Sequence, residues 1–106
     1  MFFDGVDDYF YVPNNPSLLA GKEITVCLYL NHSHSQAYPL IWYVDTTAGD
    51  SYLTTTFSLN NGGWYFACGV YNANNNQQLI YLNGEVASTT GILKFGNINV
   101  NAVSYT

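Results

Sequence analysis

Gly63-Trp64-Tyr65-Phe66-Ala67-Cys68-Gly69-Val70-Tyr71, followed by Gln78-Leu79-Ile80-Tyr81-Leu82-Asn83-Gly84-Glu85-Val86-Ala87-Ser88, is the stretch that decides the fold. Residues 64–71 are rich in aromatic and branched side chains and follow the turn-forming Asn60-Asn61-Gly62-Gly63, which reads as a strand. Residues 78–82 read as a second strand. Asn-Gly suits both left-handed positions of a type I′ turn, so Asn83-Gly84 folds residues 85–88 back on them as a hairpin.

The same grammar extends along the chain in both directions. Residues 24–30 alternate, with Ile24, Val26, Leu28 and Leu30 on one face and Thr25, Cys27 and Tyr29 on the other. Residues 9–12 form a β-rich run stopped by Pro13, residues 40–44 another, and residues 51–59 a threonine-rich one. Residues 92–95 and 98–105 close the chain. The one helical candidate is a single turn over residues 15–20, ended by Gly21. Asparagine-rich loops such as Asn72-Ala73-Asn74-Asn75-Asn76 supply left-handed backbone and local turns. About nine short strands at regular spacing predict an all-β, antiparallel two-sheet β-sandwich. With no repeat or linker, residues 1–106 read as a single domain.

Composition narrows the function classes. Of 106 residues, 48% are hydrophobic, 17% aromatic and only 8% charged, the last far below the roughly 25% of ordinary globular domains. Such a balance opposes disorder and supports a packed core. Lys22 and Lys94 are the only basic residues besides two histidines, and the net charge is −5. Nucleic-acid binding and docking on an anionic membrane both need positive charge, so neither partner is expected. The chain has no run of eighteen apolar residues that would span a bilayer. Met1-Phe2-Phe3-Asp4-Gly5 lacks the basic start of a secretion leader.

Several constellations carry chemistry. Asp4, Asp7 and Asp8 offer hard oxygen ligands for Ca²⁺, but their spacing lacks the EF-hand pattern. A turn capped by those carboxylates is the favoured reading, and no metal ligand set is assigned. His32 and His34 would project together from a strand and hold a metal or respond to pH; a solvated loop is simpler. Glycoside hydrolysis needs two flanking carboxyl groups. Glu23 and Glu85 stand alone in turn-like settings, and Asp45 with Asp50 is the one pair to test. With no nucleophile elbow or phosphate loop either, the chain is not expected to be an enzyme. Cys27 lies on the Thr25/Tyr29 face. Cys68 shares a face with Trp64, Phe66 and Val70, read as the core face, so two free thiols pointing to different sides are expected. The apolar setting of Cys68 favours an inert thiol over a nucleophile. Aromatic rings can cover the flat C–H faces of sugars while a hydroxyl or indole N–H binds their polar edges. Tyr29, Trp42, Tyr43, Tyr65 and Tyr81 are the candidates for such a platform.

Four places also share one pattern. Residues 3–13, Phe-Asp-Gly-Val-Asp-Asp-Tyr-Phe-Tyr-Val-Pro, resemble the opening of laminin-G-like jelly-roll domains of the concanavalin A-like superfamily. Residues 24–30 resemble the strand that follows. Residues 63–71 with 79–87 are similar to that family's Gly-Trp strand and its Asn-Gly hairpin, and residues 100–105 to its closing strand. The resemblance implies a jelly roll and an extracellular, cell-surface or virus-particle location. It also implies a role in binding glycan or protein surfaces, sometimes with Ca²⁺. Tyr29, Phe66 and Asn101 stand where the pattern has tryptophan, histidine and aspartate, and the lost acid weakens an inherited Ca²⁺ site. The middle, residues 31–62, is short for the family. Sheet edges left open there invite pairing with another copy, so the alternative expectation is a self-assembling structural subunit.

Overall fold

The computed structural model describes residues 21–32, 39–56, 63–88 and 91–99. They form an all-β fold of two antiparallel sheets in a sandwich-like arrangement. The larger sheet contains β1 (Glu23–His32), β4 (Gly63–Asn72), β5 (Gln77–Leu82) and β6 (Glu85–Val86), in the order β1-β4-β5-β6. The smaller contains β2 (Ile41–Thr46) and β3 (Gly49–Thr54). The expected strands at 9–12, the turn at 15–20 and residues 57–59 and 100–105 lie outside the described residues.

Turn chemistry sets the connections. Asn83 (φ 52°) and Gly84 (φ 86°) are both left-handed, as a type I′ hairpin requires, and Tyr81 faces Val86 across it. Asn83 also extends the neighbouring ladder. Its N–H donates to the Phe66 carbonyl (2.8 Å), and its Oδ1 accepts from the Phe66 N–H (3.0 Å). In the asparagine loop, Asn72 Oδ1 accepts from the N–H groups of Asn74 (3.0 Å) and Asn75 (3.2 Å), and Asn76 is left-handed (φ 53°). Between β2 and β3, the Thr46 hydroxyl donates to the Gly49 carbonyl (2.7 Å) and accepts from the Ala48 N–H (3.1 Å).

Registers decide what faces inward. Cys27 opposes Cys68, Leu28 opposes Ala67 and Ile24 opposes Tyr71, while Ala67 in turn opposes Leu82 and Gly69 opposes Ile80. In an antiparallel sheet, opposed residues share a face. The inner face therefore gathers Ala67, Tyr71, Gln78, Ile80 and Leu82, all buried. Val44, Ser51 and Leu53 of the smaller sheet, and Thr55 just after β3, are buried as well. Trp42 lies flat against Gly69, where a side chain would collide with the indole ring. Its Nε1–H donates to the Val70 carbonyl (3.1 Å).

Polar clamps join the layers. Gln78, buried on β5, donates from Nε2 to the carbonyls of Trp42 and Ser51, both 3.1 Å away, and its Oε1 accepts from the Ser51 hydroxyl. Tyr71 is 1% exposed; its hydroxyl donates to the Gly96 carbonyl (2.7 Å) and accepts from the Gly96 N–H (3.0 Å). Burying so many polar groups is tolerable because each is paired.

Two expectations about strands need correction. Residues 92–95 make one isolated bridge, Ile92 to Tyr52, rather than a strand. The reason is where the amides go from Lys94 onward. Lys94 N–H donates to the Ser51 hydroxyl (3.0 Å), Gly96 N–H to Tyr71 and Asn97 N–H to the Thr47 hydroxyl (3.1 Å). Side chains thus take the amides a ladder would use. The second concerns β4. Trp64, Phe66, Cys68 and Val70 occupy the outer face, and Tyr65, Ala67, Gly69 and Tyr71 the inner one.

Candidate functional site

The outer face of β1-β4-β5-β6 is built by register. One row across the sheet reads Cys27, Cys68, Tyr81, Val86. The next pairs Tyr29 with Phe66, and the one beyond pairs Asn31 with Trp64. The row on the other side is Thr25, Val70, Leu79. None of these residues is charged. Tyr29 is 74% exposed and Trp64 69%. The Tyr29 and Phe66 rings sit 4.9 Å apart and tilted by 36°, a favourable cross-strand aromatic pair. The result is a ring-rich surface with no charge in these four rows; the row beyond Thr25 brings in Glu23, opposite Asn72.

A disulfide joins Cys27 to Cys68 in the middle of this face, with Cα atoms 4.1 Å apart. The expected free thiols are overturned. The error was in the strand face. Cys68 belongs to the outer face of β4, so both sulfurs leave the same side of the sheet and meet. Cys68 is accordingly no buried thiol.

The five aromatic residues expected to form one platform divide over three surfaces. Tyr29 and Tyr81 share the outer face just described. Trp42 and Tyr65 face inward: Trp42 lies on Gly69, and Tyr65 packs against the Ala67, Leu82 and Ala87 cluster. Tyr43 stands on the outer face of the β2–β3 hairpin, stacked on Tyr52 at 6.2 Å. There the Asp50 carboxylate accepts a hydrogen bond from the Tyr43 hydroxyl and holds that phenol up at a pKa of about 12.

Trp64 and Phe66 complete the outer face, and reading β4 the wrong way round hid them. One signal was available. Gly69 and Ala67 are the small residues that let another sheet approach, and both alternate with Trp64 and Phe66.

No family model, no curated protein and no solved structure matches the chain.

The remaining candidates are placed as follows. Asp45 and Asp50 oppose each other on the outer face of the hairpin, both exposed. Asp45 Oδ1 accepts from Asn99 Nδ2 (2.9 Å), and Asp50 is engaged by Tyr43. Glu23 opens β1, where its Oε1 accepts from Asn74 Nδ2 (3.3 Å), and Glu85 opens β6. Asp4, Asp7, Asp8, His34 and the side chain of His32 lie outside the described residues. Among the described residues no cluster of three or more metal-ligating side chains occurs, and no helix is long and apolar enough to cross a membrane.

Proposed function

We propose that the protein is a non-catalytic binding module of the extracellular type, a short laminin-G-like jelly roll, and that the outer face of β1-β4-β5-β6 contacts glycan. One observation carries the reading: Tyr29, Phe66 and Trp64 stand exposed together on one sheet face, with uncharged residues as their neighbours in the register. Exposed apolar surface of this kind marks contact sites. Neutral rings suit the C–H faces of sugars, while the Trp64 indole N–H, the Tyr29 hydroxyl and the Asn31 amide supply donors at the rim. The disulfide supports an oxidising compartment, as on a cell surface or in a secreted particle.

The test is binding to neutral oligosaccharides on an array, followed by titration of the best ligand. Trp64→Ala is expected to weaken that binding about tenfold or more. Binding by no oligosaccharide, or equal binding by the variant, overturns the assignment.

A second reading is a self-assembling structural subunit. It is supported by β1, which ends its sheet with no partner on its far side among the described residues. Light scattering across a concentration series separates the two, because growth in mass favours assembly and a constant monomer favours the module.

A further inference from the structure

Strand β1 is thinly held. Thr25, Val26, Cys27, Leu28 and Tyr29 are all exposed, including the two that face inward, Val26 at 42% and Leu28 at 43%. Among the described residues the smaller sheet has two strands, and they leave Val26 and Leu28 uncovered. An apolar cavity of about 160 Å³ remains there, lined by Val26, Leu28, Leu40, Trp42, Ala67 and Ile80. By contrast β4 and β5 bury Ala67, Tyr71, Gln78, Ile80 and Leu82. Burial therefore fastens β4 and β5 firmly but contributes little to the middle of β1. Among the described residues, what holds that middle is the ladder to β4 and the Cys27–Cys68 bond.

The bond's position matters. A Cα separation of 4.1 Å marks the close pair of an antiparallel ladder, the kind that exchanges no backbone hydrogen bonds. At this position the sulfurs make the link that the backbone does not. The bridge also lies on the outer face with Cys27 exposed, so a reductant can approach it without opening the core.

We propose that the Cys27–Cys68 disulfide is a redox latch on β1: reduction by a dithiol frees the middle of that strand while the rest of the sandwich stays folded. A thiolate of the dithiol attacks one sulfur, the S–S bond breaks, and the other cysteine leaves as a thiolate. The second thiol of the reductant then displaces the first cysteine. The dithiol ends as its own disulfide, having given two electrons and two protons to Cys27 and Cys68. Release of β1 separates Tyr29 from Phe66 and dismantles the aromatic face. This consequence for binding rests on the glycan reading above; the latch itself does not.

Hydrogen exchange on the free protein tests it, with and without dithiothreitol at neutral pH. The expected result is loss of protection by about tenfold or more at the amides of Val26 and Leu28, which the ladder points toward β4. Val44, Leu53 and Ile80 should keep theirs. The double variant Cys27→Ala/Cys68→Ala should show the same pattern without reductant. Unchanged protection in β1, simultaneous loss throughout the chain, or a bridge that resists dithiothreitol until the protein unfolds would each overturn the latch. Oligosaccharide binding by the oxidised protein is scored separately, so a chain that binds no sugar can still show the latch, and one without the latch can still bind.

Discussion

Tyr71 and Trp64 lie seven residues apart on one strand, yet the first is 1% exposed and the second 69%. They stand on opposite faces of β4. Both are large amphipathic aromatics, and neither intrinsic strand preference nor hydrophobicity separates them. Their neighbours do. Tyr71 is stacked with Phe95 at 5.9 Å and bonded through its hydroxyl to Gly96, so it ties the closing segment to the sheet. Trp64 has Phe66 beside it on the outer face and projects outward. This strand divides its aromatic content between stability and contact, and each half can be tested against the other.

The largest expected effect is on the inner half. Tyr71→Ala should cost about 3 to 5 kcal/mol in chemical denaturation, because it removes a buried ring and unpairs the Gly96 backbone. Trp64→Ala should stay within about 0.5 kcal/mol of the parent, as exposed substitutions usually do. Equal losses would break the division of labour. Next comes the polar clamp. Gln78→Leu keeps volume but leaves the Trp42 and Ser51 carbonyls unpaired in the interior, an expected loss of about 2 to 4 kcal/mol by the same measurement. A neutral result would mean that the sheets are held by apolar packing alone.

The smallest effect lies on a third surface. Tyr43 should titrate at about 12 rather than 10.0 in an ultraviolet phenolate titration, and Asp50→Asn should bring it back toward the ordinary value. Because the folded value is raised, the folded protein keeps a proton between those two pH values that the unfolded chain has released. The associated stabilisation is complete below pH 10 and is lost as pH rises through about 12. A midpoint near 10 in the folded protein would show that Asp50 does not hold the phenol.

Much of the architecture was legible in the residues. The alternation of Ile24 to Leu30, the two-residue Asn83-Gly84 turn and the asparagine loop after Tyr71 predicted strands and turns that the fold contains. The outer face was only half legible. Tyr29 was oriented by its own strand's clear alternation, but β4 carries aromatic residues on both faces, so period-two patterning could not say which side was in. That ambiguity misplaced Trp64 and Phe66, and with them the partner of Cys27. Residues 92–95 misled for a different reason. Their composition is strand-like, while the amides of Lys94 and of the adjoining Gly96 and Asn97 are claimed by the hydroxyls of Ser51, Tyr71 and Thr47, groups that come near only in the folded chain.

Residue order alone therefore determined the local grammar: a nearly uncharged all-β chain, where it turns, and which residues alternate, because turn geometry and side-chain alternation depend on near neighbours. Tertiary structure decided which face of β4 became the interior. It did so by laying Trp42 on Gly69 and by closing Gln78 and Tyr71 onto backbone groups of distant segments. Those contacts stabilise only one orientation of the strand, and that orientation brings the two sulfurs together and leaves Tyr29, Phe66 and Trp64 facing outward.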